Sequence, residues 1–217
     1  MLKNYNFLFV IALMFALLIS PVYAQKVPFP EDWEQAAGPI PEPVPEVDER
    51  GAVNVALLPI AKPNASSIIP GWEKRHNIAF LNDGWYNNPR SWIPATMPAW
   101  AEIDLGKVYE IDKVVFGSEH TAKWKDRAIT EFAVLVATEY NPDSTASTWK
   151  EVFTHKGDPV RDTTPFKFDP VKARWVRIDI RAGESQPRID ELEIYASPLA
   201  SAVNYKGKLS ITWGSLK

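Results

Sequence analysis

Residues Arg174–Ile180 read RWVRIDI, and this stretch decides the fold. Its side chains alternate between two sets, which consist of Trp175, Arg177 and Asp179 on one side and Val176, Ile178 and Ile180 on the other. Such alternation indicates a half-buried β-strand, because successive side chains in a strand point to opposite faces. The apolar set is predicted to face a core. Arg177 is predicted to point outward and form a salt bridge.

Further strand-like runs lie on both sides of this stretch. They are Val53–Ile60, Ala101–Leu105, Glu110–Gly117, Glu131–Thr138, Trp149–Thr154, Pro165–Asp169 and Arg188–Tyr195. Gly, Pro, Asn or Asp residues separate nearly all of them, and no stretch among them has a convincing helical pattern. Many short alternating runs with frequent turn signals predict an all-β antiparallel sandwich or barrel.

Composition narrows the class of protein. The chain has 217 residues, 46% of them hydrophobic, which suits one ordinary domain with extensions. A formal net charge of −3 gives no basic field, so no nucleic-acid partner is expected. The absence of cysteine excludes a lipoprotein anchor and a disulfide scaffold.

The two ends of the chain differ in composition from its middle. Met1–Ala24 resembles a secretory signal, with Lys3 before the apolar run Phe7–Ile19. That run is shorter than the roughly 20 residues of a membrane span, although an uncleaved anchor is the competing interpretation. Residues 25–50 are rich in Pro and acid and predict a linker. The expected domain is 51–197, followed by a tail at 198–217, in a secreted, periplasmic or extracellular protein without a stable transmembrane anchor.

The loop Ala79–Trp92 reads AFLNDGWYNNPRSW. Asp83-Gly84 is a tight-turn signal, because Gly tolerates positive φ and the Asp side chain can cap its own backbone. The loop carries a carboxylate, several carbonyls and four aromatic rings. This mixture is poor material for a core strand and is typical of a rim that binds a ligand.

The order of these pieces resembles a known family, the discoidin or coagulation factor 5/8 type C domain, which overlaps with bacterial carbohydrate-binding modules. The matching pieces are NVALLPIAKPNASS, LNDG followed by SW, WAEIDLGKVYEIDKVVF, DRAITEFAVLVAT, TWKEV, FDPVKARWVRIDI and PRIDELEIY. The resemblance spans roughly Val53 to Ala196. It implies a jelly-roll β-sandwich of the galactose-binding-domain-like type, with ligand loops clustered at one rim.

The resemblance also implies a structural calcium ion. Members commonly hold it with an Asp in the DG turn, a nearby Thr or Ser, backbone carbonyls and a Glu on the last strand, which here correspond to Asp83, Ser91 and Glu191. Calcium takes six to eight oxygen ligands. Asp190 and Glu193 are the alternatives on the last strand. The competing interpretation is that Asp83 only caps a turn and Glu191 is a surface carboxylate.

Sugars are bound by aromatic rings that lie against their apolar faces, with polar side chains on the hydroxyls. Three loops of this family's fold are expected to supply such residues at one rim. The candidates are Trp85, Tyr86, Asn87, Asn88 and Arg90 in the first loop, His120, Trp124 and Lys125 in the second, and Arg181, Glu184 and Gln186 in the third. Arg127, at the far end of the second loop, is expected to be structural.

No enzyme signature is present. The sequence has no GxSxG, HExxH, P-loop or GxGxxG motif, and its three histidines are isolated. The expected function is therefore a secreted, non-catalytic module that binds a glycan or cell-surface ligand and is braced by calcium. The alternative is an adhesion or scaffolding module that binds a protein or a lipid surface. The oligomeric state stays open.

Overall fold

A computed structural model describes residues 47–86, 88–118, 127–140, 148–161 and 163–196. Within these ranges the regular secondary structure is β-strand, apart from two short 3-10 turns at Val55–Leu57 and Ile78–Phe80. The strands are β1 (Lys62–Ala65), β2 (Ala99–Gly117), β3 (Ile129–Ala137), β4 (Lys150–Val160), β5 (Thr164–Gly183) and β6 (Glu191–Ala196). No helix among the described residues has the length and apolar character that a membrane span requires.

All strand pairings are antiparallel, in the order β1-β2-β5-β3-β4, with β6 also paired to β2. Strands β2 and β5 are longer than the sequence runs predicted, because each joins two runs. A register shift between Asp104 and Tyr109 interrupts β2 where the sequence breaks at Gly106, whose φ is +75°. Irregularities of this kind bend a strand without ending it. β2 pairs with β1, β5 and β6 along its length.

The core confirms the alternation in RWVRIDI, since Val176, Ile178 and Ile180 are fully buried. Phe116 on β2, Phe132 on β3 and Phe166 on β5 lie with ring centroids 4.9–5.0 Å apart. Strands β2 and β3 are not neighbours in the sheet order, so their rings meet across the core. These contacts close the sandwich and confirm the predicted all-β fold.

Arg177 lies on the outer face of the sheet, as predicted. Its guanidinium is 2.6 Å from a carboxylate oxygen of Glu102 and lies over the rings of Trp100 and Trp149, at 4.2 and 4.3 Å from their centroids. The ion pair joins β2 to β5, where Glu102 and Arg177 are direct partners in the strand register. Cation–π contacts with both rings add to the attraction.

The prediction of a strand at Val53–Ile60 was wrong. Asn54 caps a 3-10 turn instead, because its side-chain oxygen accepts a hydrogen bond from the Ala56 backbone at 3.2 Å. The same oxygen accepts from the Ile194 backbone at 3.0 Å and so ties this turn to β6. Asn is a favoured capping residue, since its short side chain reaches backbone donors that would otherwise lack partners.

Residues 47–50, which composition assigned to the linker, contact the sheet. The Asp48 carboxylate lies 2.5 Å from Lys113 Nζ and 2.9 Å from the Arg50 guanidinium. Burial acts to raise the pKa of Asp48, but hydrogen bonds from Lys113, Ala52 and Arg50 outweigh it and lower the pKa to about 2. The packed domain therefore includes residues 47–50.

Candidate functional site

Backbone hydrogen bonds hold four separate segments side by side at one edge of the sandwich. The bonds run from Asn77 N–H to the Ser91 carbonyl (2.8 Å), from Trp92 N–H to the Ile189 carbonyl (2.8 Å) and from Arg188 N–H to the Arg127 carbonyl (3.0 Å). The segments come from distant parts of the sequence. Their side chains meet in space only because the strands on either side place the loop ends together.

A cavity of about 300 Å³ opens where these segments meet, and we call it the Trp72 pocket. It is lined by Ile69, Trp72, Arg75, His76, Asn88, Ile93, Arg127 and Arg188. The Trp72 carbonyl accepts backbone hydrogen bonds from Arg75 and His76, both at 2.8 Å, so one tight turn brings these three residues to the same wall. Trp72 keeps 52% of its surface exposed. The pocket thus has one accessible aromatic ring beside several polar groups.

The hydrogen bonds around His76 determine which ring nitrogen carries the proton. Ser91 Oγ donates its only hydrogen to the Asn88 carbonyl at 2.8 Å, and it lies 2.9 Å from His76 Nδ1. His76 Nδ1 must then donate to Ser91 Oγ, which leaves Nε2 as the accepting nitrogen. Burial and the nearby arginines Arg188, Arg127 and Arg75 lower the pKa of His76 to about 4. His76 is therefore neutral near pH 7.

Two arginines of the pocket are held in place by neighbouring groups. Arg188 is 1% exposed, and its Nε and Nη1 donate to Asp190 and to the Asn88 side chain, both at 2.8 Å. Arg127 Nη1 donates to the Gln186 carbonyl at 3.2 Å. Hydrogen bonds of this kind fix the orientation of both guanidinium groups.

The described residues that the sequence predicted for ligand binding are spread over a wide area. Asn88 lines the Trp72 pocket, and Gln186 contacts it through Arg127. Tyr86 is buried, and its hydroxyl donates to Glu193 at 2.7 Å. The others lie apart from the pocket lining: Trp85, Arg90, Arg181 and Glu184. Asn87, His120, Trp124 and Lys125 are outside the described residues.

Several pocket residues were missed by the sequence reasoning, namely Trp72, Arg75, His76 and Arg188. A signal was present in Trp72–His76, which reads WEKRH and places a ring, a guanidinium and an imidazole within one turn. Arg127 was expected to be structural, and it does bond to the Gln186 backbone, but it also lines the pocket. Arg188 carried no local signal, because an arginine at the start of a strand is usually exposed.

The structure brings Asp83 and Glu191 together at the corner where calcium was predicted. Gly84 has φ +82°, and Asp83 Oδ1 accepts from the Trp85 backbone at 3.0 Å, so the predicted turn and cap are both present. Glu191 is 1% exposed, and its Oε2 accepts from the Asp83 and Gly84 backbones, both at 3.1 Å. The first loop is therefore tied to β6 by hydrogen bonds.

A guanidinium already neutralises the carboxylate of Asp83. Arg90 Nε donates to Asp83 Oδ2 at 2.7 Å, and Arg90 Nη2 forms an ion pair with the same oxygen. Burial acts to raise the pKa of Asp83, and the charge and hydrogen bond of Arg90 oppose that rise. Arg90 itself is 6% exposed and lies over the Phe80 ring, 4.5 Å from its centroid.

This donor set does not fit a calcium ion as the side chains are arranged. Both oxygens of Asp83 have donors, Ser91 Oγ is bonded to His76 and Asn88, and Glu191 Oε2 holds two backbone N–H groups. Among the residues that the structure describes, no group of three His, Cys, Asp or Glu is arranged to hold a metal. Calcium at this corner stays a prediction, and a bound ion would compete with Arg90 for the Asp83 carboxylate.

A chelator distinguishes a calcium ion at Asp83 from the Arg90–Asp83 ion pair. Because Arg90 supplies the positive charge next to Asp83, we expect EDTA to shift the Tm of the protein by less than about 1 °C. Arg90→Gln is expected to lower the Tm by several degrees, since Asp83 would lose its ion-pair partner in a buried site; a loss of 1 kcal/mol corresponds to roughly 4–8 °C in small domains. Differential scanning calorimetry with and without calcium measures both changes in Tm. A Tm that falls by several degrees with EDTA in the unaltered protein would establish the calcium site.

Comparison with known proteins agrees with this fold. A sequence profile of the F5/8 type C domain matches residues 63–192, more than half of the chain. No curated protein sequence matches this chain.

Two of the similar solved structures come from Clostridium perfringens. CpGH89CBM32-5, in complex with GalNAc-β-1,3-galactose, has a TM-score of 0.54 at 20% identity and covers 67% of this chain and 99% of its own. The family 32 module of NanJ, in complex with galactose, has a TM-score of 0.51 at 16% identity and covers 66% and 97%.

A third similar structure is chitosan-binding module 2 of a Paenibacillus chitosanase/glucanase, in complex with chitotriose. Its TM-score is 0.50 at 24% identity, and the alignment covers 62% of this chain and 95% of that one. At these identities the likeness establishes the galactose-binding-like jelly-roll fold and leaves the ligand open. The fold and the profile match therefore indicate the same family. The chain belongs to the F5/8 type C domain family.

Proposed function

We propose that this chain is a secreted, non-catalytic carbohydrate-binding module and that the Trp72 pocket is its sugar site. The observation that carries the proposal is the pairing of a half-exposed indole, Trp72, with hydrogen-bonding side chains in one cavity. Sugars need both elements, because their C–H faces pack on aromatic rings while their hydroxyls require donors and acceptors. The ligands bound in the similar solved structures, GalNAc-β-1,3-galactose, galactose and chitotriose, support the same class.

The polar groups of the pocket suit hydroxyl recognition. Neutral His76 offers Nε2 as an acceptor, and the arginines offer N–H donors. A sugar hydroxyl both donates and accepts, so it can bridge an imidazole and a guanidinium. The cavity of about 300 Å³ is at the lower end of small-ligand pockets, which suits one sugar unit.

The lining also supports a binding role over hydrolysis. Glycoside cleavage uses a pair of carboxyl groups on either side of the scissile bond. No Asp or Glu is among the described residues that line the Trp72 pocket. Asp190 lies behind it, 0% exposed and hydrogen-bonded to Arg188. The Asp190 carboxylate holds the Arg188 guanidinium in position, which is a structural role.

A glycan array tests the proposal. The unaltered protein is expected to bind a subset of glycans, and Trp72→Ala is expected to weaken the affinity on the order of 10-fold or more, because it removes the exposed aromatic ring of the pocket. Trp149→Ala is the matched control, since Trp149 lies over Arg177 on the outer sheet face. Its affinity is expected to equal that of the unaltered protein.

Two results would contradict the proposal. An array on which the unaltered protein binds nothing would favour the adhesion or scaffolding hypothesis. Binding that Trp149→Ala abolishes and Trp72→Ala leaves intact would move the sugar site to the outer face.

A further inference from the structure

Ser91 lies next to the Trp72 pocket without being part of its surface. Its exposed fraction is 0%, and it is not among the described residues that line the cavity. Its hydroxyl oxygen nevertheless lies 2.9 Å from Nδ1 of His76, which does line the cavity. A side chain with no exposed surface does not touch a ligand, so any effect of Ser91 on binding has to pass through the imidazole.

Backbone hydrogen bonds hold this contact in place. Asn77 N–H donates to the Ser91 carbonyl at 2.8 Å, and Ser91 N–H donates to the Arg75 carbonyl at 3.3 Å, so the chain on both sides of His76 is tied to Ser91. His76 and Ser91 are also partners in an isolated parallel bridge. The backbone register therefore sets the two side chains side by side before any ligand arrives.

The direction of the hydrogen bonds through Ser91 follows from the Asn88 carbonyl. A carbonyl only accepts, so the Ser91 hydroxyl donates its single hydrogen to Asn88 at 2.8 Å, a common local bond to the residue three positions earlier. The Ser91 oxygen then has only acceptor capacity left, and His76 Nδ1 supplies the hydrogen for their contact. The proton of the neutral ring is thereby held on Nδ1.

The other ring nitrogen of His76 is available to a ligand. No residue that the structure describes forms a hydrogen bond with Nε2 of His76. The rings of Trp72 and His76 are neighbours, with their centroids 6.2 Å apart and their planes inclined at 43°. A sugar ring that packs on Trp72 can therefore bring a hydroxyl at its edge to the imidazole.

We infer that Ser91 is a positioning residue of the Trp72 pocket: it holds His76 as a hydrogen-bond acceptor, so the pocket requires a ligand hydroxyl that donates to Nε2. This inference rests on the proposed function and narrows its ligands to glycan units with an unsubstituted hydroxyl at that point. An ether, ester or carboxylate oxygen there cannot donate, and its lone pairs would face the lone pair of Nε2.

NMR of the ¹⁵N-labelled protein measures where the proton lies, with the His76 signals assigned by comparison with His76→Gln. The unaltered protein is expected to carry the proton on Nδ1 and none on Nε2. Ser91→Ala removes the oxygen that holds this proton, so the ring is expected to shift toward the Nε2–H form. Ser118→Ala is the matched control, because Ser118 is 2% exposed and its hydroxyl donates to the Val160 carbonyl at 2.8 Å, outside the pocket lining. Its His76 signals are expected to stay unchanged.

Glycan binding shows whether the position of the proton matters for recognition. On the array, Ser91→Ala is expected to weaken binding by about 10-fold, because the imidazole no longer presents a fixed acceptor. Ser118→Ala is expected to bind as the unaltered protein does. In the His76→Gln background, Ser91→Ala is expected to add no further loss, since its effect passes through the imidazole. A full additional loss in that background would contradict the positioning role.

Fluorinated sugars test the required hydroxyl. The probes are methyl β-D-galactopyranoside, methyl β-D-glucopyranoside and derivatives of each in which fluorine replaces one hydroxyl at a time, because fluorine cannot donate a hydrogen bond. For the sugar that binds more tightly, one derivative is expected to bind the unaltered protein about 10-fold more weakly than its parent. Ser91→Ala is expected to reduce that ratio by several fold.

The outcomes separate this inference from the proposed function. A proton on Nε2 of His76 in the unaltered protein, or protons on both ring nitrogens, would overturn the inference and leave the sugar site in place. The same holds for a proton position or an array profile that Ser91→Ala leaves unchanged, and for equal binding of every fluorinated derivative. Failure of every glycan on the array to bind would overturn the proposed function and the ligand requirement together.

Discussion

Replacing Trp92 with alanine is expected to lower the free energy of unfolding by about 3–5 kcal/mol, the usual cost of removing a buried large aromatic side chain. Trp92 is fully buried, and its indole N–H donates to the Ser67 carbonyl at 2.8 Å. The substitution would leave a cavity and remove the donor from that carbonyl. Urea unfolding followed by circular dichroism measures the change.

The effect of Trp92→Ala is expected to reach the pocket as well. Trp92 exchanges two backbone hydrogen bonds with Ile189, at 2.8 and 3.0 Å, and its neighbour Ile93 lines the cavity and accepts from the Ile69 backbone at 2.9 Å. Trp72→Ala is the matched control, since an indole that is 52% exposed contributes little to the core. Its free energy of unfolding is expected to stay within about 0.5 kcal/mol of the unaltered protein. Equal losses in the two variants would contradict this account of the core.

Replacing Asp190 with asparagine is expected to cost about 3–5 kcal/mol, which is typical when one partner of a buried ion pair is removed. The side chains of Arg188 and Asp190 are 1% and 0% exposed, and Arg188 Nε lies 2.8 Å from Asp190 Oδ1. Asparagine keeps the shape of the side chain and removes its charge. The guanidinium would then remain buried without the carboxylate that balances it.

A double-mutant cycle separates the charge from the packing. Arg188→Met is expected to be destabilising by a similar amount, whereas Arg188→Met with Asp190→Asn is expected to cost clearly less than the sum of the two, because no single buried charge remains. Additive losses would show that the pair is not coupled. Sugar binding gives a second readout: both variants that lack Arg188 are expected to bind glycans on the array more weakly than the unaltered protein.

Several parts of this protein were accessible from the sequence because they depend on neighbouring residues. The alternation in RWVRIDI identified Val176, Ile178 and Ile180 as core residues and Arg177 as an outward ion-pair partner, and both predictions are confirmed. The turn at Asp83-Gly84 followed from the same kind of local chemistry. Local chemistry was misleading at Val53–Ile60, where a capping bond from Asn54 replaced the expected strand.

The candidate site was only partly accessible from the sequence. Of the described residues predicted for ligand binding, Asn88 lies in the Trp72 pocket, while Trp85 and Arg90 lie outside its lining. Loop composition identified one residue of the Trp72 pocket but not the direction in which each side chain points. A loop residue turns toward the ligand or the core according to its partners, and Arg90 turned toward Asp83.

The sequence by itself determined the strand periodicity, the tight turn and the family, because side-chain alternation and turn chemistry act over a few residues. Only the tertiary structure decided which residues share a pocket, since Trp72, Asn88, Arg127 and Arg188 meet through hydrogen bonds between segments far apart in the chain. The tertiary structure also decided that Arg90 is the cation beside Asp83. A buried carboxylate needs a partner for its charge, and the fold determines which residue lies close enough to supply it.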